Sequence, residues 1–466
     1  MGSGGPTASH GVVAAFYAAL THQLLVVFAL AIVASLAWNV VRTMQYKRAV
    51  AQGRVDGAPR ARAVAPEPRG RLVLRVAFGI LWTIDGLLQL QASMPLGLPS
   101  GVFTPASAGA PGWVQRVVDV SVTSWTNHPI TMAAGTVWIQ LGVGLLLLVA
   151  PRGLASRSAG LASAIWGLVV WVFGEALGGI FTPGQSLLFG APGAALFYLA
   201  AGVLVALPDR AWRTPALGRR VLQAFGCLFA GAAVLQAWPG RRTWAGQPTP
   251  HSMPGLTTSM LRQMSATHQP SALASLVASF ASFDAAHGWS VNLAAVLLLG
   301  VLGVLLIARD PRLARIGVAG AVVFCFADWV LVQDLGFFGG VGTDPNSMLP
   351  IASFLVAASL GVAHPLTAHV PEPAGTWRRW LDERSPRTLL QWAAACCAGA
   401  IILIGAVPMA VAASNPRRDT IAVVAVASAV APCQVVPCPA PRRPGVVETT
   451  LVSRRWHGSA TTGPWN

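Results

Sequence analysis

Four acidic residues lie inside apolar stretches of this sequence, where a carboxyl group needs a physical explanation. An ionised carboxylate at the centre of a membrane helix costs about 2.5–3.5 kcal/mol on insertion scales, so such residues are rare and usually serve a function. No Lys or Arg lies at the same depth to pair with them. The acids are therefore expected to be protonated, to hydrogen-bond with nearby glutamine amides, or to face a water-filled cavity. They are Asp85, Glu175, Asp328 and Asp334.

Further polar residues are placed where they can cooperate with these acids. Asp85 and Gln89 are four residues apart, as are Trp171 and Glu175, so each pair shares one face of a helix. A histidine precedes each of two apolar stretches, and a histidine side chain exchanges protons near neutral pH. These patterns predict an outward-facing polar pocket that exchanges protons with a lipophilic or small substrate. Its candidate residues are Asp85, Gln89, Glu175, Asp328, Asp334, His128 and His287. The competing interpretation is that the acids hydrogen-bond between helices and fix their packing.

The sequence carries no motif for a bound cofactor. Neither a phosphate-binding loop nor a dinucleotide fingerprint is present, and no two histidines in the apolar stretches are spaced to hold a haem. Near the end of the chain, Cys433 and Cys438 are spaced to close a small disulfide in an oxidising compartment. A metal site there is not expected, because only His457 lies near them as a further ligand.

The composition requires that a bilayer surround the elements carrying these residues. Hydrophobic residues make up 54% of the chain and charged residues 10%, with a mean hydropathy of +0.59. Crossing a bilayer takes about 20 apolar residues. Ten stretches approach that length, so the fold class predicted is an all-α polytopic membrane protein with ten transmembrane helices. The stretches are 19–41, 72–91, 130–150, 160–179, 191–207, 221–238, 290–308, 316–337, 349–368 and 390–412.

The net charge of +16 is explained by membrane topology rather than by a nucleic-acid partner, because of where the basic residues lie. They concentrate in alternate loops, beginning with the segment 42–71, and cytoplasmic loops of membrane proteins are enriched in Lys and Arg. This predicts a multi-pass protein of the bacterial plasma membrane with both termini extracytoplasmic. Arg417 and Arg418, beyond the last stretch, run against the rule. No nucleic-acid partner is expected, and the lipid bilayer is.

An internal repeat organises the predicted helices. Phe78-Gly79 and Leu88-Gln89 recur as Phe225-Gly226 and Leu235-Gln236, and Trp171-Val172 recurs as Trp329-Val330. Two tandem, parallel four-helix repeats flanked by one helix on each side are therefore predicted. The predicted domains are an N-terminal helix with a basic loop (1–71), repeat A (72–207), repeat B (208–368), a loop with the last helix (369–412), and an extracytoplasmic, disordered tail (413–466).

Segments of this sequence resemble two groups of membrane proteins. The stretch LVLRVAFGILWTIDGLLQLQ resembles the first helix of the DoxX and DoxD-like four-helix membrane families. Members of that group are associated with quinone-linked thiosulfate oxidation or membrane oxidoreductase complexes. FGEALGGIFTPG, FGAPGAALFY and ADWVLVQDLGFFGGVGTDPNSM are similar to a family of uncharacterised actinobacterial multi-pass proteins.

The first resemblance implies a membrane component of a quinone-linked redox system. Asp85, Glu175 and Asp334 would line the pocket, and His128 and His287 would assist proton movement. The electrons would come from a redox partner protein, and quinone is the expected ligand. Two other functions fit the same pattern: a transporter or channel for a small solute or ion, and a structural membrane scaffold.

Overall fold

The structure is a computed structural model, and it describes residues 10–51, 67–151, 153–239, 242–244, 255–338, 341–363, 386–415 and 417. The chain divides into one unit of Met1–Ala425 and another of Val426–Asn466, and all described residues belong to the first. Every regular element among them is a helix, as the composition predicts.

The main helices follow one another with short connections, and brief helical turns occur at Met94–Leu98, Thr104–Ser107 and Asp209–Trp212. The main helices are α1 (His10–Ala51), α2 (Arg69–Leu88), α3 (Gly112–Asn127), α4 (Pro129–Val149), α5 (Gly153–Val169), α6 (Ala194–Ala206), α7 (Pro215–Ala237), α8 (Leu256–Ser265), α9 (Ser271–Ile307), α10 (Pro311–Leu331), α11 (Met348–Ala363) and α12 (Pro386–Ser414).

Seven helices within the described residues are long and apolar enough to cross a membrane. They are α1, α4, α5 with its extension to Gly174, α7, α9, α10 and α12. The other three apolar stretches predicted from the sequence fall on α2, which carries three arginines, and on α6 and α11, which have 13 and 16 residues. The chain is thus a helical, multi-span membrane protein.

Two helix sets follow one another along the chain and are packed alike. We call α2–α6 the first set and α7–α11 the second. In the first set α2 packs on α4 and α5 on α6; in the second α7 packs on α9 and α10 on α11. A Cβ added at Gly144 would lie 2.9 Å from the Gly79 carbonyl, and one at Gly303 would lie 2.9 Å from the Gly226 carbonyl. Both crossings thus bring two backbones together where only glycine fits.

The sets also share a backbone break near His128 and His287. His128 separates α3 from α4 with φ −133°, and His287 interrupts α9 with φ −127°. The segments just before these histidines are helical in both sets. The breaks let each of these segments change direction before the membrane helix begins.

The helices end earlier than the hydropathy predicts at two acids. After α5 a π-helical turn, Val170–Gly174, leads to Glu175, and α10 ends at Leu331, before Asp334. The backbone then enters positive φ at Ala176 and Leu177, and likewise at Asp334 and Leu335. The prediction that Glu175 and Asp334 lie inside helices is therefore wrong: both acids lie in turns just beyond them.

The opposite end of the first set, where α2 begins, holds two buried arginines. Arg75 binds Glu67 through its Nε and Nη2 atoms at 3.0 and 2.9 Å, and Arg71 contacts Glu67 at 3.2 Å. The arginines also donate to carbonyl groups at the ends of α4 and α6, including Leu148 and Val205. Cations placed there satisfy the last helix carbonyls and match the helix dipole.

Candidate functional site

A cavity of about 660 Å³ lies in the first helix set, against α12. Helices α2 to α6 and α12 supply most of its lining, and two residues come from the second set, Thr343 and Asp344. The walls are mainly aliphatic and aromatic, with Trp82, Trp125 and Trp166 among them. A lining of this kind, with a few polar groups, is typical of small-molecule sites.

Unpaired polar atoms mark one end of the cavity. Asp85, Gln89, Gln140 and Tyr198 line it and are at most 5% exposed. The Oε1 atoms of both glutamines have no hydrogen-bond partner within the described residues, and Asp85 and the Tyr198 hydroxyl have none beyond their contact with each other. An unsatisfied buried polar group costs about 1–3 kcal/mol. These atoms are therefore available to a bound molecule.

Glu175 reaches the cavity from the turn after α5. Its Oε1 and Oε2 atoms accept hydrogen bonds from the Ala195 backbone N–H at 3.1 and 3.2 Å. Ala195 lies in the first turn of α6, where unpaired N–H groups and the helix dipole favour an anion. Trp171, four residues earlier, donates to the Pro192 carbonyl at 2.8 Å. The two side chains thus hold the same segment, and Glu175 has a structural role besides facing the cavity.

Asp344 belongs to the loop between α10 and α11. Its carboxyl accepts hydrogen bonds from the Thr343 hydroxyl and the Asn346 N–H, both at 2.8 Å. Gln91 of the first set donates to the Gly342 carbonyl at 3.0 Å, which ties this loop to the cavity. Burial raises the pKa of the Asp344 carboxyl, and its two hydrogen bonds offset part of that rise.

Three carboxyl groups and a phenol meet at this end of the cavity. Asp85 interacts electrostatically with Asp344 and Glu175, and Glu175 with Asp344. The Tyr198 hydroxyl lies next to Asp85. The residues that line the cavity include no Lys, Arg or His within the described chain. The site is therefore an acidic, hydrogen-bonding end on an apolar cavity.

The other two candidate acids are not part of this cavity. Asp328 is 4% exposed on α10, and its Oδ2 atom has no hydrogen-bond partner among the described residues. Asp334 contacts the Thr267 hydroxyl at 3.5 Å and so faces the segment between α8 and α9. The sequence prediction grouped both acids with Asp85. In the structure neither acid lines the cavity, because both belong to the second helix set and the cavity lies in the first.

The two histidines also lie away from the cavity. His128 is 3% exposed, and its Nε2 contacts the Asn415 carbonyl at 2.9 Å beyond α12. His287 is exposed, stacks on Phe283 and contacts the Phe283 carbonyl through Nδ1 at 3.1 Å. Neither histidine lines the cavity, and their predicted part in proton movement stays a prediction.

Sequence reasoning did not place Asp344, Tyr198 or Gln140 among the candidate residues. Asp344 carries a local signal, the Thr-Asp-Pro-Asn turn, but nothing in it predicts contact with a cavity in another helix set. Tyr198 is one of only three tyrosines in the sequence. It lies in α6 and packs against Phe78 and Trp82 of α2.

No group of three His, Cys, Asp or Glu residues suited to a metal ion occurs among the described residues. The predicted disulfide between Cys433 and Cys438 lies outside the part of the chain that the structure describes.

Comparisons with known proteins add no family to this geometry: no protein-family model, no curated protein and no solved structure matches the chain.

Proposed function

We propose that the chain is the DoxX-like membrane component of a quinone-linked redox system, and that the first helix set binds the quinone. The observation that carries the proposal is the pairing of unpaired buried polar atoms with an apolar cavity. A quinone joins a ring bearing two oxygens to an apolar tail, which matches both parts. A partner protein would supply the electrons.

The residues assigned to the head group are those at the polar end. The Trp166 N–H is unpaired within the described residues and can donate to a quinone oxygen, and the Tyr198 hydroxyl, next to Asp85, is a second possible donor. Asp85 and the two glutamines supply acceptors for the hydroxyl groups of the reduced form. Glu175 and Asp344 complete the acidic end. The proposal leaves out Asp328, Asp334, His128 and His287.

The rim of the cavity suits a ligand that arrives through the bilayer. Several lining residues are exposed on the side of the bundle and are apolar, including Val120 of α3, Ile165 of α5 and Ala410 of α12. Because α5 and α12 are membrane-length helices, an opening between them faces lipid. A lipophilic molecule can then enter without crossing water.

The finer membrane arrangement is also proposed. The equivalent glycine crossings and histidine breaks support two tandem, parallel four-helix repeats flanked by α1 and α12. With α2, α6 and α11 added to the seven long helices, the chain would cross the bacterial plasma membrane ten times. Both termini would then be extracytoplasmic, with the buried arginines at the cytoplasmic end.

Quinone binding by the purified protein tests this function. The full chain in detergent is titrated with a short-chain naphthoquinone, with tryptophan fluorescence as the readout. Saturable quenching that Asp85→Asn weakens about tenfold, or 1.4 kcal/mol, supports the proposal. Asp328→Asn is the matched control, since it removes a buried acid of the second set outside the cavity. Equal affinities for all three proteins, or no saturable binding, overturn it.

One observation favours a transporter as the second candidate. The Asp344 loop of the second set closes over the cavity of the first, so a movement between the sets would open it, as alternating access requires. Solute flux in proteoliposomes without quinone binding would decide for this function. A structural scaffold would instead show neither flux nor binding, and the Asp85 variant would differ only in stability.

A further inference from the structure

The cavity has an apolar boundary and a polar boundary, and each suits the passage of a different species. The exposed rim on α3, α5 and α12 is apolar, with Val120, Ile165 and Ala410 among its residues. Protons do not cross such a surface without polar carriers. The polar end, by contrast, is bounded by the loop between α10 and α11. Ligand and protons therefore have separate ways to the same site.

Asp344 is the acid placed at the polar boundary. Asp85 is 2% exposed, whereas Glu175 and Asp344 are both partly exposed, and of these two it is Asp344 that lies in the loop bounding the polar end. The groups that interact electrostatically with Asp344 are Asp85 from α2, Glu175 after α5 and Tyr198 from α6. Each Asp344 oxygen has one hydrogen-bond donor, which orients the carboxyl and leaves further lone pairs free.

We propose that Asp344 is the proton-exchange residue of the cavity, a group from the second helix set that connects Asp85 and Glu175 to solution at the loop between α10 and α11. The protonated Asp344 carboxyl gives its proton to the carboxylate of Glu175 or Asp85. The Asp344 carboxylate then takes a proton from a hydronium ion in solution, which leaves a water molecule. The reverse sequence releases a proton, so charge and atoms balance in both directions. The proposal deepens the proposed function, since a quinone takes up protons when it is reduced.

Infrared spectroscopy of the full chain in liposomes tests this without any quinone. The carbonyl band of protonated carboxylic acids is followed as H₂O is replaced by D₂O, and Asp85→Asn and Glu175→Gln identify the bands. We expect exchange at these two acids to slow about tenfold or more in Asp344→Asn, which is at least about 1.4 kcal/mol in the barrier. Asp334→Asn, a neighbouring acid in the same loop but outside the cavity, is expected to exchange like the unaltered protein.

Asp344→Glu separates proton exchange from a structural role, because it keeps a carboxyl group in the loop. Faster exchange in Asp344→Glu than in Asp344→Asn supports the assignment. Unaltered exchange in Asp344→Asn overturns it, and so does equally slow exchange in both variants. The absence of any exchanging band from Asp85 and Glu175 also overturns it, since these acids would then hold no proton. Failure of quinone binding in the separate titration leaves this result intact, so the two proposals fail independently.

Discussion

The first and second helix sets have similar backbones, but they differ in the side chains at the positions that form the polar end of the cavity. Trp171 donates to the Pro192 carbonyl and Trp329 to the Pro345 carbonyl, both at 2.8 Å. The turns after α5 and α10 adopt the same run of positive φ. Within this common frame the first set contains the cavity with the acidic end, whereas the second set has mainly apolar side chains at the corresponding positions.

The corresponding residues can be identified by aligning the sets on these shared features. Where the first set has Asp85, Gln140 and Tyr198, the second has Ala232, Leu299 and Ile351, all of them buried. Glu175, which binds the Ala195 N–H, corresponds to Gln333, which binds the Ser347 hydroxyl at 3.2 Å. The same arrangement of helices can therefore surround either a packed core or a cavity, and a few side chains determine which of the two forms.

The largest expected effect concerns the arginine cluster of the first set. Glu67→Gln would leave Arg75 buried without its carboxylate and would remove one of the two carboxylates of Arg71, which also contacts Asp209 at 3.4 Å; breaking such a cluster costs about 3–5 kcal/mol. We expect a matching loss of unfolding free energy in detergent. Arg220→Gln, an exposed arginine of α7, is the control and should change little. Equal stability of the two variants would show that the cluster does not hold the first set together.

The glycine crossings should respond equally in the two sets if these are true equivalents. Gly144→Ala and Gly303→Ala each place a Cβ against backbone atoms of the crossing helix, at 2.9 and 2.8 Å respectively. Such overpacking costs about 1–3 kcal/mol. Gly231→Ala on α7 meets open space and serves as the control. Thermal unfolding that responds in one set only would break the proposed equivalence.

A smaller effect on stability, but a large one on binding, is expected when the first set is made to resemble the second. Gln140→Leu installs the residue found at the corresponding position of α9. Because the Gln140 Oε1 atom is unpaired within the described residues, removing the amide should leave the unfolding free energy unchanged or raise it. Quinone affinity should fall about tenfold. A destabilised protein with unchanged affinity would contradict the assignment of Gln140 to the head group.

The smallest effect is a pH dependence. Burial raises the pKa of Asp344 above its ordinary value of about 3.9, so folding disfavours its ionised form. Its destabilising contribution is absent below the ordinary value and grows as the pH rises through the raised one. Asp344→Asn should therefore match the unaltered protein in melting temperature at about pH 4 and exceed it at about pH 8. A gain that is largest at acidic pH would contradict this sign.

The sequence predicted the parts of the site that depend on local spacing. Asp85 and Gln89, at the end of α2, both line the cavity, as their four-residue spacing predicts. Hydropathy located the membrane helices but placed Glu175 and Asp334 inside them, since a π-helical turn or an early helix end leaves no trace in an apolar average. The contribution of Asp344 depends on how two helix sets pack, which no local pattern encodes.

Photolabelling tests most directly whether the first set, and not the second, holds the ligand. The full chain is labelled with an azido-quinone in liposomes and the modified peptides are identified by mass spectrometry. We expect labelling of the cavity-lining parts of α4 and α5, residues 132–143 and 162–169. Excess quinone should suppress this labelling, and Asp85→Asn should reduce it. Equal labelling of the corresponding parts of α9 and α10, or labelling that excess quinone leaves unchanged, would contradict this expectation.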